Sequence, residues 1–266
     1  MTIRLGSSRP PSLRSGSMAM TNQPKRILIT GAGRWSGGDE GGLGAALAIR
    51  LAGRGHTVVI NHRSSDEAAE RLVKAIRSGP GRALALRADV TDPEHVERMA
   101  SSVSQELGGL DVLINNAGLF LLKDYEDLSA EEWESQIAST ATATYYVSRA
   151  LLPLLRAQGG RIINISDAGA DRITARPRTL PYHIGKMGVL MITRTMARAE
   201  AGRGVTVNAI LPGVLENSDP LPDRDRIPAG RHGTADDVLE AVTFLMSEEA
   251  GYVTGAFIQM GGGWNL

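Results

Sequence analysis

The chain contains no cysteine among its 266 residues. This absence excludes disulfide bonds, thiolate metal ligands and a cysteine nucleophile, and it leaves the redox compartment open. We expect no metal site. Aromatic residues make up only 4 %, whereas 42 % of the residues are hydrophobic and 22 % are charged. Because this composition can bury a core and is not that of a disordered chain, we expect a folded globular protein.

The chain also lacks an excess of charge of either sign, with 29 basic side chains against 29 acidic ones. No overall field attracts nucleic acid or an anionic membrane, so we expect neither as a partner. No apolar run approaches the roughly 18 residues that a membrane span needs, and the start lacks the apolar core of a secretory signal. These absences predict a cytoplasmic protein.

Residues 1–25 differ in composition from the rest of the chain, since they are rich in Ser, Arg and Pro and contain no acid. The segment is either an organelle transit peptide, a disordered tail, or an extension ahead of a true start at Met18 or Met20. Because an amphipathic pattern is missing, we interpret residues 1–25 as a disordered or misassigned extension. Residues 26–266 then form one catalytic domain.

From Arg26 onward, short β-branched runs alternate with segments of helical periodicity. Strands are predicted at Arg26–Thr30, Thr57–Asn61, Ala83–Arg87, Asp111–Asn115, Arg161–Ile165, Val205–Leu211 and Ala256–Met260. Helices are predicted near Leu43–Arg54, Asp66–Arg77, Pro93–Leu107, Ala130–Arg156, Pro181–Ala201 and Thr234–Met246. Repeated strand–helix–strand units predict an α/β fold, a doubly wound Rossmann-type sheet of seven parallel strands with helices on both faces.

The loop after the first predicted strand is rich in glycine and leads into an Ala-rich helix. Glycines allow close approach to a pyrophosphate, and a helix N-terminus offers free N–H groups, so this loop predicts nucleotide binding. A purely structural turn is the alternative. The insert Arg34–Gly41 is either a cofactor clamp or a flexible loop. The candidate residues here are Gly31, Gly33, Arg34, Gly42, Leu43 and Gly44.

The second predicted strand ends in His62, Arg63 and Ser64, where an NAD-specific protein usually has an acid. A guanidinium and a hydroxyl suit a 2′-phosphate, because Arg offers forked donors to phosphate oxygens. We therefore predict NADP(H) as the cofactor, the alternative being that Arg63 is a solvated surface charge.

Further motifs follow at the ends of later strands: Asp89-Val90, Asn115-Asn116-Ala117-Gly118, Tyr182-His183-Ile184-Gly185-Lys186 and Pro212-Gly213. With the Thr30-Gly31 turn, Gly42 and Gly44, their order and spacing resemble the short-chain dehydrogenase/reductase family from Arg26 to Leu266. The resemblance implies a homotetramer or homodimer built through the long helices beside the fifth strand. It also implies that Asp89 and Val90 contact adenine, that Asn116, Ala117 and Gly118 line the cofactor, and that Pro212, Gly213 and Val214 flank the nicotinamide.

Tyr182 and Lys186 are four residues apart on a predicted helix and so share a face. A nearby ammonium lowers the pKa of a phenol, which makes Tyr182 a usable proton donor, with Lys186 as its tuner and ribose anchor. Hydride would come from NADPH. A chance surface pair is the alternative.

Two positions depart from the family pattern. Asp167 aligns with the usual Ser after the fifth strand and lies 15 residues before Tyr182, while Ser166 is one position early. An ionised Asp beside a developing alkoxide would repel it. The site therefore holds a protonated Asp167, uses Ser166 after a register shift, or takes another substrate. Thr140 aligns with the usual Asn of the proton relay.

Asp167 resembles the pteridine reductase branch of the family, as do His62-Arg63-Ser64, Phe120 and the C-terminus Gly262–Leu266. Phe120 would then stack on a pterin ring, unless it simply lines the pocket wall. We predict an NADP(H)-dependent oxidoreductase that reduces a small-molecule ketone or 3-oxoacyl substrate, with Tyr182 as proton donor and Asp167 as assisting acid. The alternatives are reduction of a dihydropterin C=N bond and a cofactor-binding protein that has lost turnover.

Overall fold

The computed structural model describes residues 23–37 and 40–265. Of the predicted N-terminal extension, residues 1–22 lie outside these ranges. Within them, no helix is long and apolar enough to cross a membrane.

The structure contains nine strands and seven α-helices in the described ranges. The strands are β1 (Arg26–Ile29), β2 (Trp35–Gly37), β3 (Glu40–Gly41), β4 (Thr57–His62), β5 (Arg82–Arg87), β6 (Val112–Asn115), β7 (Arg161–Ile165), β8 (Thr206–Pro212) and β9 (Phe257–Met260). The helices are α1 (Leu43–Gly53), α2 (Asp66–Arg77), α3 (Pro93–Leu107), α4 (Ala130–Ile137), α5 (Ala143–Arg156), α6 (Leu180–Glu200) and α7 (Ala235–Met246).

Seven of the strands form one parallel sheet in the order β5-β4-β1-β6-β7-β8-β9. The predicted doubly wound α/β fold is confirmed. From β1 the chain adds β4 and then β5 on one side of the sheet. It then returns to the centre, and β6 to β9 are added in order on the other side of β1. This reversal opens a crevice at the carboxyl ends of β1 and β6, where ligands bind in such folds.

Both faces of the sheet are covered, which explains why its strands are apolar almost throughout. Successive side chains of a strand point to opposite faces. In β1, Ile27 and Ile29 join the core beneath α1 and α7, whereas Leu28 joins the core on the side of α3, α5 and α6. All three are fully buried. The central strands are thus held rigidly, and their end loops are placed with little freedom.

The predicted helix Ala130–Arg156 is not uniform, because a five-residue π-helical turn, Ala138–Thr142, separates α4 from α5. The hydroxyls of Ser139 and Thr140 both donate to the Gln136 carbonyl, at 3.2 and 2.8 Å. Such side-chain bonds compete with the regular helical ladder. π-turns of this kind often occur at functional sites, and this one lies against α6.

Gly185 of α6 meets this π-turn so closely that the Cβ of an alanine would overlap the Thr140 hydroxyl and lie 3.4 Å from the Gln136 carbonyl oxygen. We expect Gly185→Ala to lower the free energy of unfolding by roughly 1–3 kcal/mol, as overpacking does. Urea denaturation measures this, with Gly202→Ala, whose Cβ has no neighbour within 4 Å, as control. Thr140→Ala should relieve part of the loss; an equal loss in both backgrounds would contradict the explanation.

Candidate active site

The loops after β1 and β6 are bonded to each other at the crevice. The Thr30 hydroxyl accepts from the backbone N–H groups of Asn116 and Ala117, both at 3.0 Å. The Asn116 side chain donates to the Thr30 carbonyl at 3.0 Å. Gly31 has φ +63°, and a Cβ there would lie 2.8 Å from the Ala117 Cα. Only glycine combines this backbone conformation with so close a contact.

A cleft of about 330 Å³ runs along these loops. Its lining includes almost every residue predicted to bind the cofactor: Gly31, Gly33, Arg34, Gly42, Leu43, Gly44, His62, Arg63, Ser64, Asp89, Val90, Asn116, Ala117 and Gly118. Pro212, Gly213 and Val214 are not part of this lining. They lie at the carboxyl end of β8, where Gly213 packs against Gly261. The structure therefore brings the predicted glycine, ribose and adenine residues together.

Helix α1 begins at this cleft without a side-chain cap, since its N-cap residue is Gly42. Helices α3, α4 and α7 are capped by Asp92, Ser129 and Thr234. An uncapped N-terminus presents backbone N–H groups and the positive end of the helix dipole, which is a binding site for phosphate. No acid occurs in the first turn of α1. These features fit the pyrophosphate of a dinucleotide.

The far end of the cleft carries positive charge. Arg34, Arg63 and Ser64 line it, and the Arg63 Nη1 lies 3.9 Å from the Asp89 Oδ2. The other Asp89 oxygen accepts from the Thr91 N–H and hydroxyl at 2.9 and 2.7 Å. Asp89 is thus held in place, and the more exposed Arg63 keeps donors free for a phosphate group.

The insert Arg34–Gly41 contains a short antiparallel hairpin, β2 with β3. The Gly42 N–H donates to the Arg34 carbonyl at 3.1 Å, and the Asn217 side chain donates to the Gly41 carbonyl at 2.8 Å. Strand β2 also lies beside α2. The described backbone of the insert is therefore bonded to the loop beyond β8.

Lys186 lies buried in α6, and its Nζ donates to the Ile165 carbonyl at 2.9 Å. The Nζ is 5.6 Å from the centroid of the Tyr182 ring. A Cβ on Gly118 would lie 3.6 Å from the Nζ, so Lys186 lies directly behind a residue that lines the cleft. Burial lowers the pKa of Lys186 to about 8, against a smaller opposing effect of Asp167. Its ammonium therefore titrates close to neutral pH.

Asp167, and not Ser166, lies beside the phenol. The Tyr182 hydroxyl donates to the Asp167 Oδ2 at 3.2 Å. The Ser166 hydroxyl is buried and donates to the Lys186 backbone carbonyl at 3.0 Å. Ser166 thus joins the end of β7 to α6, while the Asp167 carboxyl faces the predicted proton donor.

The prediction that the pKa of Tyr182 is lowered is wrong. Burial raises the pKa of Tyr182 well above its ordinary value, and the charge and hydrogen bond of the Asp167 carboxylate raise it further. The helical spacing correctly predicted that Lys186 lies near the Tyr182 ring. It contains no information on the burial of the phenol or on the Asp167 carboxylate, and both of these raise the pKa. Tyr182 therefore keeps its proton at neutral pH and needs help to release it.

Phe120 and Thr140 complete the predicted set. The Phe120 ring meets the Tyr182 ring edge-to-face with centroids 5.0 Å apart, and Phe120 is about half exposed. Thr140 is buried, with its hydroxyl on the Gln136 carbonyl and its methyl group next to Gly118. A part for Thr140 in a proton relay stays a prediction.

His183 is a site residue that sequence reasoning missed. Its Nε2 lies 3.5 Å from the Asp167 Oδ1, and its ring meets the Tyr182 ring at 5.2 Å. The only signal in the sequence was its place directly after Tyr182. The contact with Asp167 arises from the path of the chain between Asp167 and Tyr182, which are 15 positions apart.

Comparison with known proteins agrees with this geometry. A family model described as enoyl-(acyl carrier protein) reductase matches residues 38–265. The 3-oxoacyl-[acyl-carrier-protein] reductase FabG of Staphylococcus aureus is 34 % identical over 249 residues, covering 90 % of this chain and 97 % of the relative. The 3beta-hydroxysteroid dehydrogenase 1 of Eggerthella lenta is 35 % identical over 254 residues, covering 91 % and 94 %.

Among solved structures, a short chain dehydrogenase from Burkholderia cenocepacia in complex with NADP superposes with a TM-score of 0.82. It is 32 % identical, and the match covers 91 % of this chain and 98 % of the other. The chain belongs to the short-chain dehydrogenase/reductase family. The predicted resemblance is confirmed, and the chain is an oxidoreductase acting on C=O and CH–OH groups.

The lowered pKa of Lys186 predicts a pH dependence of stability. Between about pH 8 and 10.5, the folded state has lost the Lys186 proton that the unfolded state still holds. The unfolded state then binds more protons, so the free energy of unfolding rises with pH, by at most about 1.4 kcal/mol per pH unit. We expect this rise in the wild type and not in Lys186→Met, measured by urea denaturation across this window. Parallel curves for the two proteins would contradict the assignment.

Proposed function

We propose that the chain is an NADPH-dependent reductase of carbonyl compounds, with 3-oxoacyl thioesters as the substrate class. The observation that carries this proposal is the hydrogen bond from the Tyr182 hydroxyl to the Asp167 carboxyl, with the Lys186 ammonium 5.6 Å from the Tyr182 ring and next to Gly118, which lines the cleft. NADPH supplies the hydride when bound. The protein's own residues bind, orient and provide the proton.

The uncapped end of α1 and the glycines beside it hold the pyrophosphate. Arg63, Ser64 and Arg34 hold the 2′-phosphate, and Lys186 anchors the ribose. Tyr182 donates its proton to the carbonyl oxygen as that oxygen gains charge. Asp167 assists by taking part in the proton supply to the phenol, since an ionised carboxylate alone would oppose the transfer.

An apolar strip at the mouth of the site supports an acyl substrate. Leu119, Phe120 and Leu122 are all more than one-third exposed, and Phe120 packs against the catalytic phenol. Such side chains provide a surface for a flexible hydrocarbon chain. The named activity of the Staphylococcus relative, reduction of 3-oxoacyl groups, supports the same substrate class.

Reduction of a dihydropterin C=N bond is the second candidate. A carboxyl and an aromatic ring lie together here, on either side of Tyr182. A carboxylic acid can protonate a basic ring nitrogen, and the Phe120 face can stack on a flat heterocycle. Binding of NADPH without turnover of either substrate would instead indicate a cofactor-binding protein.

A second copy of this chain is the protein partner that we propose, in a homotetramer or homodimer. The helices α4, α5 and α6 carry exposed apolar side chains, among them Tyr145, Ile184 and Met191. Met191 is 74 % exposed, which is unusual for an apolar residue in the middle of a helix. Burying this surface against another copy would remove it from water.

Tyr182→Phe tests the proton donor. We expect it to lower kcat for a 3-oxoacyl thioester by roughly 100-fold or more, because general acid catalysis contributes about that much. NADPH consumption measures this, with the fully exposed Tyr252→Phe as matched control. Undiminished turnover in Tyr182→Phe would exclude the mechanism, and faster turnover of a 7,8-dihydropterin than of the thioester would favour the second candidate.

Arg63→Ala tests the cofactor choice. Loss of a charge-assisted hydrogen bond to phosphate costs about 1.5–3 kcal/mol, so we expect the KM for NADPH to rise roughly 10- to 100-fold. The KM for NADH should change little. Arg71→Ala on the solvent side of α2, where Arg71 pairs with Glu67, is the control. An equal change in KM for NADPH and NADH would show that Arg63 does not bind the 2′-phosphate.

A further inference from the structure

The Asp167 carboxyl lies between the side chains of two consecutive residues of α6. Tyr182 donates to its Oδ2 at 3.2 Å, and the His183 Nε2 lies 3.5 Å from its Oδ1. The two rings also meet edge-to-face. Both oxygens of one carboxyl are therefore engaged, one by the proposed proton donor and the other by an imidazole.

The contact of the other ring nitrogen of His183, Nδ1, shows which nitrogen of the ring carries the hydrogen. Nδ1 lies 3.1 Å from the Thr179 backbone carbonyl oxygen, which can only accept a hydrogen bond. Nδ1 must therefore carry a hydrogen. In a neutral ring, the lone pair then lies on Nε2 and faces the Asp167 Oδ1. Two lone pairs facing each other repel, whereas a proton between the two atoms would turn this 3.5 Å contact into an attractive one.

We propose that Asp167 and His183 share one proton and that this proton restores the Tyr182 phenol during reduction. His183 thus acts through Asp167, as a positioning residue that holds the proton supply. The proposal rests on the function proposed above. It explains how a carboxyl can occupy a place where a permanent negative charge would oppose catalysis.

The charges around the phenol show why such a supply is needed. Tyr182 is partly buried, and both this burial and an ionised Asp167 carboxyl raise its pKa. Lys186 is the cation on the same helix face, but its Nζ donates to the Ile165 carbonyl, and burial lowers its pKa to about 8. Removing the phenol proton without replacement would leave a phenolate beside a carboxylate.

When bound, NADPH would supply the hydride and its electron pair to the carbonyl carbon as the C=O π bond breaks. The Tyr182 O–H bond breaks as the O–H bond of the product alcohol forms. Once the shared proton is on Asp167 Oδ1, the carboxyl turns about its Cβ–Cγ bond and brings this oxygen to the Tyr182 oxygen, which otherwise faces Oδ2. The Oδ1–H bond then breaks as the phenol O–H bond forms again. The Asp167–His183 pair then takes a proton from water, because Asp167 is 27 % and His183 12 % exposed.

Nitrogen NMR of the histidine rings tests the shared proton without any turnover. We expect the His183 Nε2 resonance of the wild type at neutral pH to lie well away from that of an unprotonated imidazole nitrogen. Asp167→Ala should move it to the unprotonated position, with Nδ1 still protonated. A wild-type Nε2 already at that position would overturn the proposal, whether or not the protein reduces 3-oxoacyl thioesters.

Kinetics test the proton supply. We expect His183→Gln, which keeps a hydrogen-bond donor but cannot carry a proton, to lower kcat about tenfold or more with little change in KM. His183→Ala should lose at least as much, and added imidazole should restore its kcat. Arg198→Ala, at an exposed position in the last turn of the same helix, should show neither effect. A wild-type kcat in His183→Gln, or a loss in His183→Ala that imidazole does not restore, would overturn the proposal. Absence of turnover in the wild type would instead contradict the proposed function.

Discussion

The contact between the Asp167 carboxyl and the Tyr182 hydroxyl is the interaction on which the chemistry of this site depends. Two backbone contacts hold it in place: Ser166 donates to the Lys186 carbonyl, and the Lys186 ammonium donates to the Ile165 carbonyl. These reciprocal bonds join the end of β7 to the first turns of α6. The carboxyl and the phenol are therefore brought together by the same bonds that bury the lysine, and the pKa shifts of Tyr182 and Lys186 share one structural cause.

The proposed cofactor-binding residues line the cleft, and the proposed catalytic residues lie next to it, beyond Gly118. In the cleft, α1 starts without a side-chain cap, and its backbone N–H groups are kept for an anion. Among the proposed catalytic residues, Lys186 lies close to Gly118, whose missing side chain leaves room between them. The bonds from Thr30 to Asn116 and Ala117 fix the distance between the two sets of residues. A rigid sheet, buried on both faces, thus holds the loops that would position a cofactor against a proton donor.

Much of this arrangement could be predicted from the sequence, because its signals are local. Strand β7 has the predicted ends, Arg161 and Ile165, since a run of β-branched residues marks a buried strand. The π-turn at Ala138–Thr142 was missed, because hydroxyls that bond back to a helical carbonyl leave no periodic signal. The pKa direction of Tyr182 and the role of His183 depend on burial and on a carboxyl 15 residues away. Helical spacing predicts which residues are neighbours on one helix. It predicts neither the burial of a side chain nor its contact with a residue outside that helix.

The substitution of a carboxyl for a hydroxyl also bears on the substrate. A ketone oxygen becomes strongly basic as hydride arrives, so it can take a proton from a phenol of raised pKa. A ring nitrogen is basic before hydride arrives and gains most from an acid that already holds a proton. A carboxyl that shares its proton with His183 can supply a proton to either substrate, the ketone or the ring nitrogen. The proton chemistry alone therefore does not distinguish the two substrate classes. The surroundings do: Leu119, Phe120 and Leu122 leave the mouth open and apolar, and an open apolar strip binds a long chain better than it encloses a small polar ring.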